Sequence, residues 1–340
     1  MKNLFVILSV FAAQQLSANN LSDSSGFYFE KGIVEKNEKR YLTASSNFEK
    51  AISFNKSYTE AYIENAYANK EMRKTDQAKA NFLKAYELQP NNMQIIKELT
   101  NLYYDYRQWD KAMEFANKCV GCENADRIIG LSNYEKENYV AAEKSLLKAV
   151  AKNPEDALVN YTLGRTYMDM EMYRKAVPFF EKAAALNPEK NAWAYELGLL
   201  YYNNNNFRGA VTAFEKAEKN GYPSSNDFNE NYGYALLYSG QYAKGEEKLL
   251  GIYQKKGNKE MLRDLAQALY DQKQYDKTLS YCQKLLEADP KDAKALYQAG
   301  LTFQKIGQKE KGQGMCDKAI EMDPSLASKR TKSMDMSGAL

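Results

Sequence analysis

Residues 163–188 read LGRTYMDMEMYRKAVPFFEKAAALNP, and their spacing decides the fold. Leu163, Gly164 and Tyr167 fall on one helical face, and so do Ala176, Phe180 and Ala183, because steps of three, four and seven return to the same side of a helix. Pro188 cannot continue a helix and stops the second one. Gly164 and Ala176, twelve residues apart, are small enough to let the two helices cross closely. The stretch therefore predicts two antiparallel helices joined by one turn. It also recurs. The position of Ala176 returns as Ala44, Ala78, Ala112, Ala142, Ala210, Gly245, Thr278 and Gly312, in steps of 34, 34, 30, 34, 34, 35, 33 and 34 residues along the full series. The position of Gly164 returns as Gly32, Ala66, Thr100, Gly130, Gly198, Gly233, Ala266 and Gly300. Five units close on proline, at Pro90, Pro154, Pro188, Pro290 and Pro324. A period of this length marks a stack of supersecondary units, each needing its neighbours to bury its apolar face.

These residues resemble the consensus of the tetratricopeptide repeat. The resemblance extends over nine units, from about residue 25 to about residue 324. It implies an all-α fold, a right-handed superhelical solenoid of about nine helix pairs. The expected units are 25–58, 59–92, 93–122, 123–156, 157–190, 191–225, 226–258, 259–292 and 293–324, within a repeat domain over 19–324. Residues 325–340 are expected to add a short capping helix and a tail.

The N-terminus begins Met1-Lys2-Asn3, runs almost wholly apolar from Leu4 to Ala13, and reaches Ser17-Ala18. A basic start, a short apolar run and a small residue at its end describe a secretory signal peptide. We expect residues 1–18 to be that signal, cleaved near Ala18. The apolar run is too short to span a bilayer, and no other stretch is long enough. A soluble, exported protein of a bacterial periplasm is the expectation.

The chain of 340 residues contains no histidine. That removes the commonest general base and the usual near-neutral switch, along with Ser-His-Asp, Cys-His and His-based zinc sites. No phosphate loop is present, since Gly240-x-x-x-x-Gly245 continues into Glu246-Glu247 rather than lysine and a hydroxyl residue. We expect no enzyme, no cofactor and no metal. Net charge is +3, from 47 basic and 44 acidic residues, and the signs alternate within units. That is not the basic stripe of a nucleic-acid binder.

Cys282 and Cys316 occupy bulky core positions and are expected to be buried thiols. Cys119 and Cys122 end the third unit as Cys-Val-Gly-Cys, where the repeat loses four residues. A local disulfide there is the favoured reading for an oxidising compartment, against one packed and one loop thiol. The shortened link at 121–124 and the turn-rich segment 220–226 are candidate joints.

In tetratricopeptide folds the first helix of each unit lines the concave groove. Carried onto this sequence, the groove positions hold Tyr104, Arg127, Tyr134, Tyr161, Arg165, Tyr195, Tyr202, Tyr234, Arg263 and Tyr270, with Tyr67, Tyr238, Tyr297 and Lys97 at equivalent places. Tyrosine and arginine dominate binding hot spots because they bury large area and keep a polar handle. Packing between units is the competing use for these tyrosines. The expected function is a non-enzymatic scaffold that binds a peptide or protein segment in this groove, as part of a cell-envelope assembly. An arginine-rich groove would favour acidic peptides. A glycan or small-molecule binder and a self-associating homo-oligomer are the alternatives. The carboxylate clamp of some family members is not carried over, because Ile128, Leu158 and Thr162 stand where its polar residues belong.

Overall fold

The computed structural model describes residues 24–256 and 259–327. The expected signal segment 1–18 and the tail beyond residue 327 lie outside them. Among the described residues every regular element is helical. Helix α1 runs over 24–37 and is followed by α2 (Tyr41–Phe54), α3 (Thr59–Glu71), α4 (Thr75–Leu88), α5 (Met93–Asp105), α6 (Trp109–Lys118), α7 (Ala125–Glu135), α8 (Tyr139–Lys152) and α9 (Ala157–Asp169). Then come α10 (Tyr173–Leu186), α11 (Asn191–Asn203), α12 (Phe207–Lys219), α13 (Asn226–Tyr238), α14 (Tyr242–Lys256), α15 (Lys259–Asp271), α16 (Tyr275–Ala288), α17 (Ala293–Lys305) and α18 (Lys309–Met322). A 3-10 turn over Pro324–Leu326 stands where the capping helix was expected, and it buries Leu326 against Tyr297, Cys316 and Ala319.

One backbone device makes the turn within a pair. The second residue after each first helix takes a left-handed conformation: Lys39, Arg73, Arg107, Glu137, Glu171, Asn205 and Lys273 at φ between 55° and 61°, Gly240 and Gly307 near 90°. The amide of the next residue then reaches back five residues, as Lys74 N does to Asn69 O at 2.8 Å and Gln274 N to Leu269 O at 2.8 Å. This is the Schellman closure, which satisfies carbonyls that a helix end would otherwise leave unpaired.

Close crossing needs the small residues. A Cβ added to Gly198 would stand 2.5 Å from the Phe214 ring, and one added to Gly32 would stand 2.5 Å from Phe48. The phenylalanines pack over the missing side chains and are fully buried.

The chain forms two compact units, the first ending at Glu171 and the second beginning at Met172. Helices α1 to α9 belong to the first and α10 to α18 to the second. Neither candidate joint interrupts its unit. Across the short link one core cluster joins Phe115, Ala116 and Cys119 of α6 and its end to Ile128 of α7. Across residues 220–226 another joins Phe214 and Ala217 of α12 to Phe228 and Tyr232 of α13. Loop irregularity is thus absorbed by continuous packing on both sides. No helix among the described residues is long and apolar enough to cross a membrane.

Candidate functional site

The first helices start at α1, α3, α5 and so on, and several carry a side-chain cap. Asn92, Asp156, Ser225 and Asp292 each accept hydrogen bonds from the first-turn amides of the following helix. Such caps fix where the helix begins and so which residues share its outer face.

In the first unit the structure gathers Tyr104, Arg127, Tyr134, Tyr161 and Arg165. Tyr104 packs on Trp109, with ring centroids 5.5 Å apart, and feels the Arg127 charge. Burial pushes its phenol up, partly countered by that guanidinium. Tyr134 donates to Asp169 Oδ2 at 3.0 Å and lies near Arg165 and Tyr161, and burial raises its phenol strongly. Arg165 donates to Tyr161 Oη at 3.4 Å. Arg127 Nε donates to Asp156 at 2.7 Å, so its charge is committed to the carboxylate that caps the next first helix.

In the second unit Tyr195 accepts from Asn231 at 3.1 Å and stacks on Tyr222, 4.5 Å between centroids. Tyr202 meets Phe207 edge-on, and Phe207 stacks on Tyr238 at 4.9 Å. Burial pushes the Tyr202 phenol up to about 12. Tyr234 is half-buried, its hydroxyl 3.8 Å from Met261 Sδ, and it feels the charges of Asp264 and Glu230. Tyr270 packs edge-on against Tyr275. Arg263 repeats what Arg127 does: it binds Asp292, the α17 cap, at 2.6 and 3.1 Å, and also pairs with Glu260. The Arg263 hydrogen bonds hold the Asp292 carboxyl below the usual carboxylate range, against the opposing effect of its burial. Tyr297, which the groove reading places outward, is only 4% exposed. Leu326 closes over it.

Asp156, Asp292, Asn231, Asp264 and Asp271 were not among the candidates read from sequence. For the two caps a signal existed: Pro154-x-Asp156 and Pro290-x-Asp292 place an aspartate at the same point of the repeat, and each partner arginine lies 29 residues earlier. The raised phenols of Tyr104, Tyr134, Tyr202, Tyr234 and Tyr270 stay protonated at neutral pH, so the faces offer ring edges, hydroxyl groups and carboxylates for recognition. Among the described residues no group of three or more acids and cysteines is placed to hold a metal ion. Cys119 and Cys122 are joined as a disulfide, their Cα atoms 5.4 Å apart, while Cys282 and Cys316 are buried free thiols.

A model described as tetratricopeptide repeat matches residues 161–219, 195–258 and 233–293, and a second with the same description matches 59–92 and 293–326. No curated protein matches the chain. Among solved structures, a tetratricopeptide repeat protein from Parabacteroides merdae is 15% identical over 72% of this chain and 98% of its own, with a TM-score of 0.48. YrrB, described as a tetratricopeptide protein with an unusual peptide-binding site, is 26% identical over 56% of this chain and 100% of its own, with a TM-score of 0.39. MamA protein is 26% identical over 48% of this chain and 91% of its own, with a TM-score of 0.44. With helix pairs throughout its described length and repeat models matched over residues 59–92 and 161–326, the chain belongs to the tetratricopeptide-repeat family.

Proposed function

We propose that this protein is a non-enzymatic scaffold that binds an extended peptide or protein segment along the faces of its first helices. Tetratricopeptide repeats generally serve as interaction modules rather than catalysts. The observation that carries the reading is the recurrence of half-buried tyrosines on first helices: Tyr104, Tyr134 and Tyr161 in one unit, Tyr195, Tyr202 and Tyr234 in the other. Each presents a ring held in place by packing or a hydrogen bond, so little entropy is lost when a partner covers it. Export by the segment 1–18, cleavage near Ala18 and a role in a periplasmic envelope assembly belong to the same proposal. Of the two tryptophans, Trp193 is 8% exposed and offers no stacking platform, so the glycan alternative rests on the half-buried Trp109 beside Tyr104 alone.

The test is peptide display against the folded chain beginning at Asn19. Wild type should enrich peptides that a Tyr161→Ala/Tyr234→Ala variant with unchanged circular dichroism no longer holds. Enrichment that survives this variant, and is lost instead on changing the exposed second-helix residues Leu42 and Val140, would overturn the reading.

A further inference from the structure

The first and last helix pairs end the array differently. At the last, Leu326 turns back over Tyr297, Cys316 and Ala319. At the first, α1 has no helix pair before it among the described residues. Its outer stripe carries Phe27, Glu30, Lys31 and Val34, which steps of three, four and seven bring to one side of a helix. All four are exposed, Phe27 at 64% and Val34 at 53%.

The later pairs show what meets these positions elsewhere. Aligned on the small crossing residue, Gly32 in α1, Val34 has a counterpart in each of the eight later first helices. Every one is buried, Leu102, Leu200 and Ala235 among them. Seven of the eight counterparts of Phe27 are buried too, including Ile95, Trp193 and Phe228. The preceding second helix covers them: Phe82 and Ala85 of α4 pack with Ile95 of α5, and Phe214 and Ala217 of α12 with Phe228 of α13. Phe27 and Val34 thus stand at contact positions that lack their cover. The terminal units of such arrays need a polar outer face to stay apart, and this stripe is only half polar.

Its polar half rules out another repeat as the natural cover. Where Lys31 stands, Leu99, Leu163 and Leu265 stand in later units, all fully buried. The charges instead match the stripe to itself. Two α1 helices packed antiparallel, with a two-fold axis between Glu30 and Lys31, set Phe27 against Val34 of the second copy and Glu30 against its Lys31. Each contact is then made twice, as a two-fold interface requires. Glu35 falls opposite Gly26, where an added Cβ would have nothing within 4 Å, so the backbones have room to approach. The neighbouring charges are already engaged, Glu35 by Arg40 and Lys36 by Glu64, while Glu30 and Lys31 form no ion pair among the described residues. The Phe27 ring is held in place by Tyr28, which it meets edge-on at 5.4 Å and which itself stacks on Phe54. Little freedom is lost when such a ring is covered.

We propose that α1 is a self-association surface, through which two copies of this chain join about a two-fold axis. Phe27 and Val34 cover one another across the axis, and Glu30 and Lys31 form two ion pairs between the copies. Each copy spends its α1 in the contact, so association stops at a dimer. A single helix-on-helix contact is smaller than a permanent interface, and the dimer forms and parts reversibly at about 10–100 µM. The stripe is separate from the tyrosines of the scaffold reading and does not depend on them.

The test is sedimentation velocity of the chain beginning at Asn19, across concentrations that bracket that range. Wild type should pass from monomer to dimer as concentration rises. Phe27→Ser/Val34→Ser, with unchanged circular dichroism, should remain monomeric. Glu30→Lys alone, or Lys31→Glu alone, sets like charges opposite each other and should weaken the dimer at least about tenfold. The double swap Glu30→Lys/Lys31→Glu restores opposite charges across the axis and should recover wild-type association. A mixture of the two single variants should form heterodimers in preference to either homodimer. A wild type that stays monomeric, a dimer that survives the serine variant, growth beyond a dimer, or a double swap as weak as the single changes overturns the proposal. Peptide display that depends on Tyr161 and Tyr234 should be the same for the serine variant and wild type, so the two readings fail separately.

Discussion

The two units are built from one repeat and differ in how their first helices are tied together. In the first, the ladder is closed: Lys36 to Glu64, Lys70 to Glu98, Tyr67 to Glu98, Arg127 to Asp156 and Tyr134 to Asp169. A disulfide adds a covalent brace at the end of α6. In the second, Arg263 to Asp292 repeats the arginine–cap link, but Leu237 stands at the repeat position of Lys36 and Lys70, and both cysteines remain thiols. The backbone pattern thus specifies which positions meet, and the residue type at each decides whether they pair.

The largest contrast should come from the shared link. Asp292→Ala removes the α17 cap and strands the partly buried Arg263, at a cost of about 3–5 kcal/mol in denaturant unfolding. The Asp156→Ala change breaks a pair whose side chains are 17% and 31% exposed, and about 1–2 kcal/mol is expected. Equal losses would show that burial does not set the difference. The Asp292 carboxyl sits below its unfolded value, so its contribution is present above the ordinary carboxylate range and is lost as pH falls through the lowered folded value. In Asp292→Asn that acid-side loss should vanish from the stability profile.

Reducing Cys119–Cys122 should come next, at about 2 kcal/mol, because the bridged loop is so short. In the other unit Cys282 is 1% exposed and burial pushes its thiol up to about 12. Maleimide should therefore leave it unlabelled until the protein unfolds; rapid native labelling would contradict its burial. The smallest effects belong to the ladder. Lys70→Met should cost under about 1 kcal/mol, as exposed ion pairs do. Asp264→Asn should be neutral or slightly stabilising near pH 7, since a raised carboxyl contributes stability only below its folded value. A clear loss from that change would mean Asp264 has an internal partner.

The crossing was legible because sterics write it directly: Gly198 and Phe214 must be small and large wherever the helices meet. The fate of the arginines was not, because Arg127 and Arg263 find their partners across a unit boundary, and reading outward positions one helix at a time hides a pairing 29 residues away. Tyr297 was misplaced for a related reason. Its position faces outward in interior pairs, but here the terminal turn brings Leu326 down on it. Of the tyrosines, which rings would stay half-open depended on neighbours such as Tyr222 and Phe207 that the spacing does not reveal.

The left-handed residue that closes each pair has a consequence for engineering. Seven of those nine turns hold a side chain, four of them lysine or arginine, in a conformation that costs roughly 1 kcal/mol relative to glycine. The hydrogen bonds that shape the turn come from the main chain, so glycine could enter without loss of a contact. The array thus holds relievable backbone strain repeated at seven of its turns, part of which glycine's greater freedom in the unfolded chain would offset.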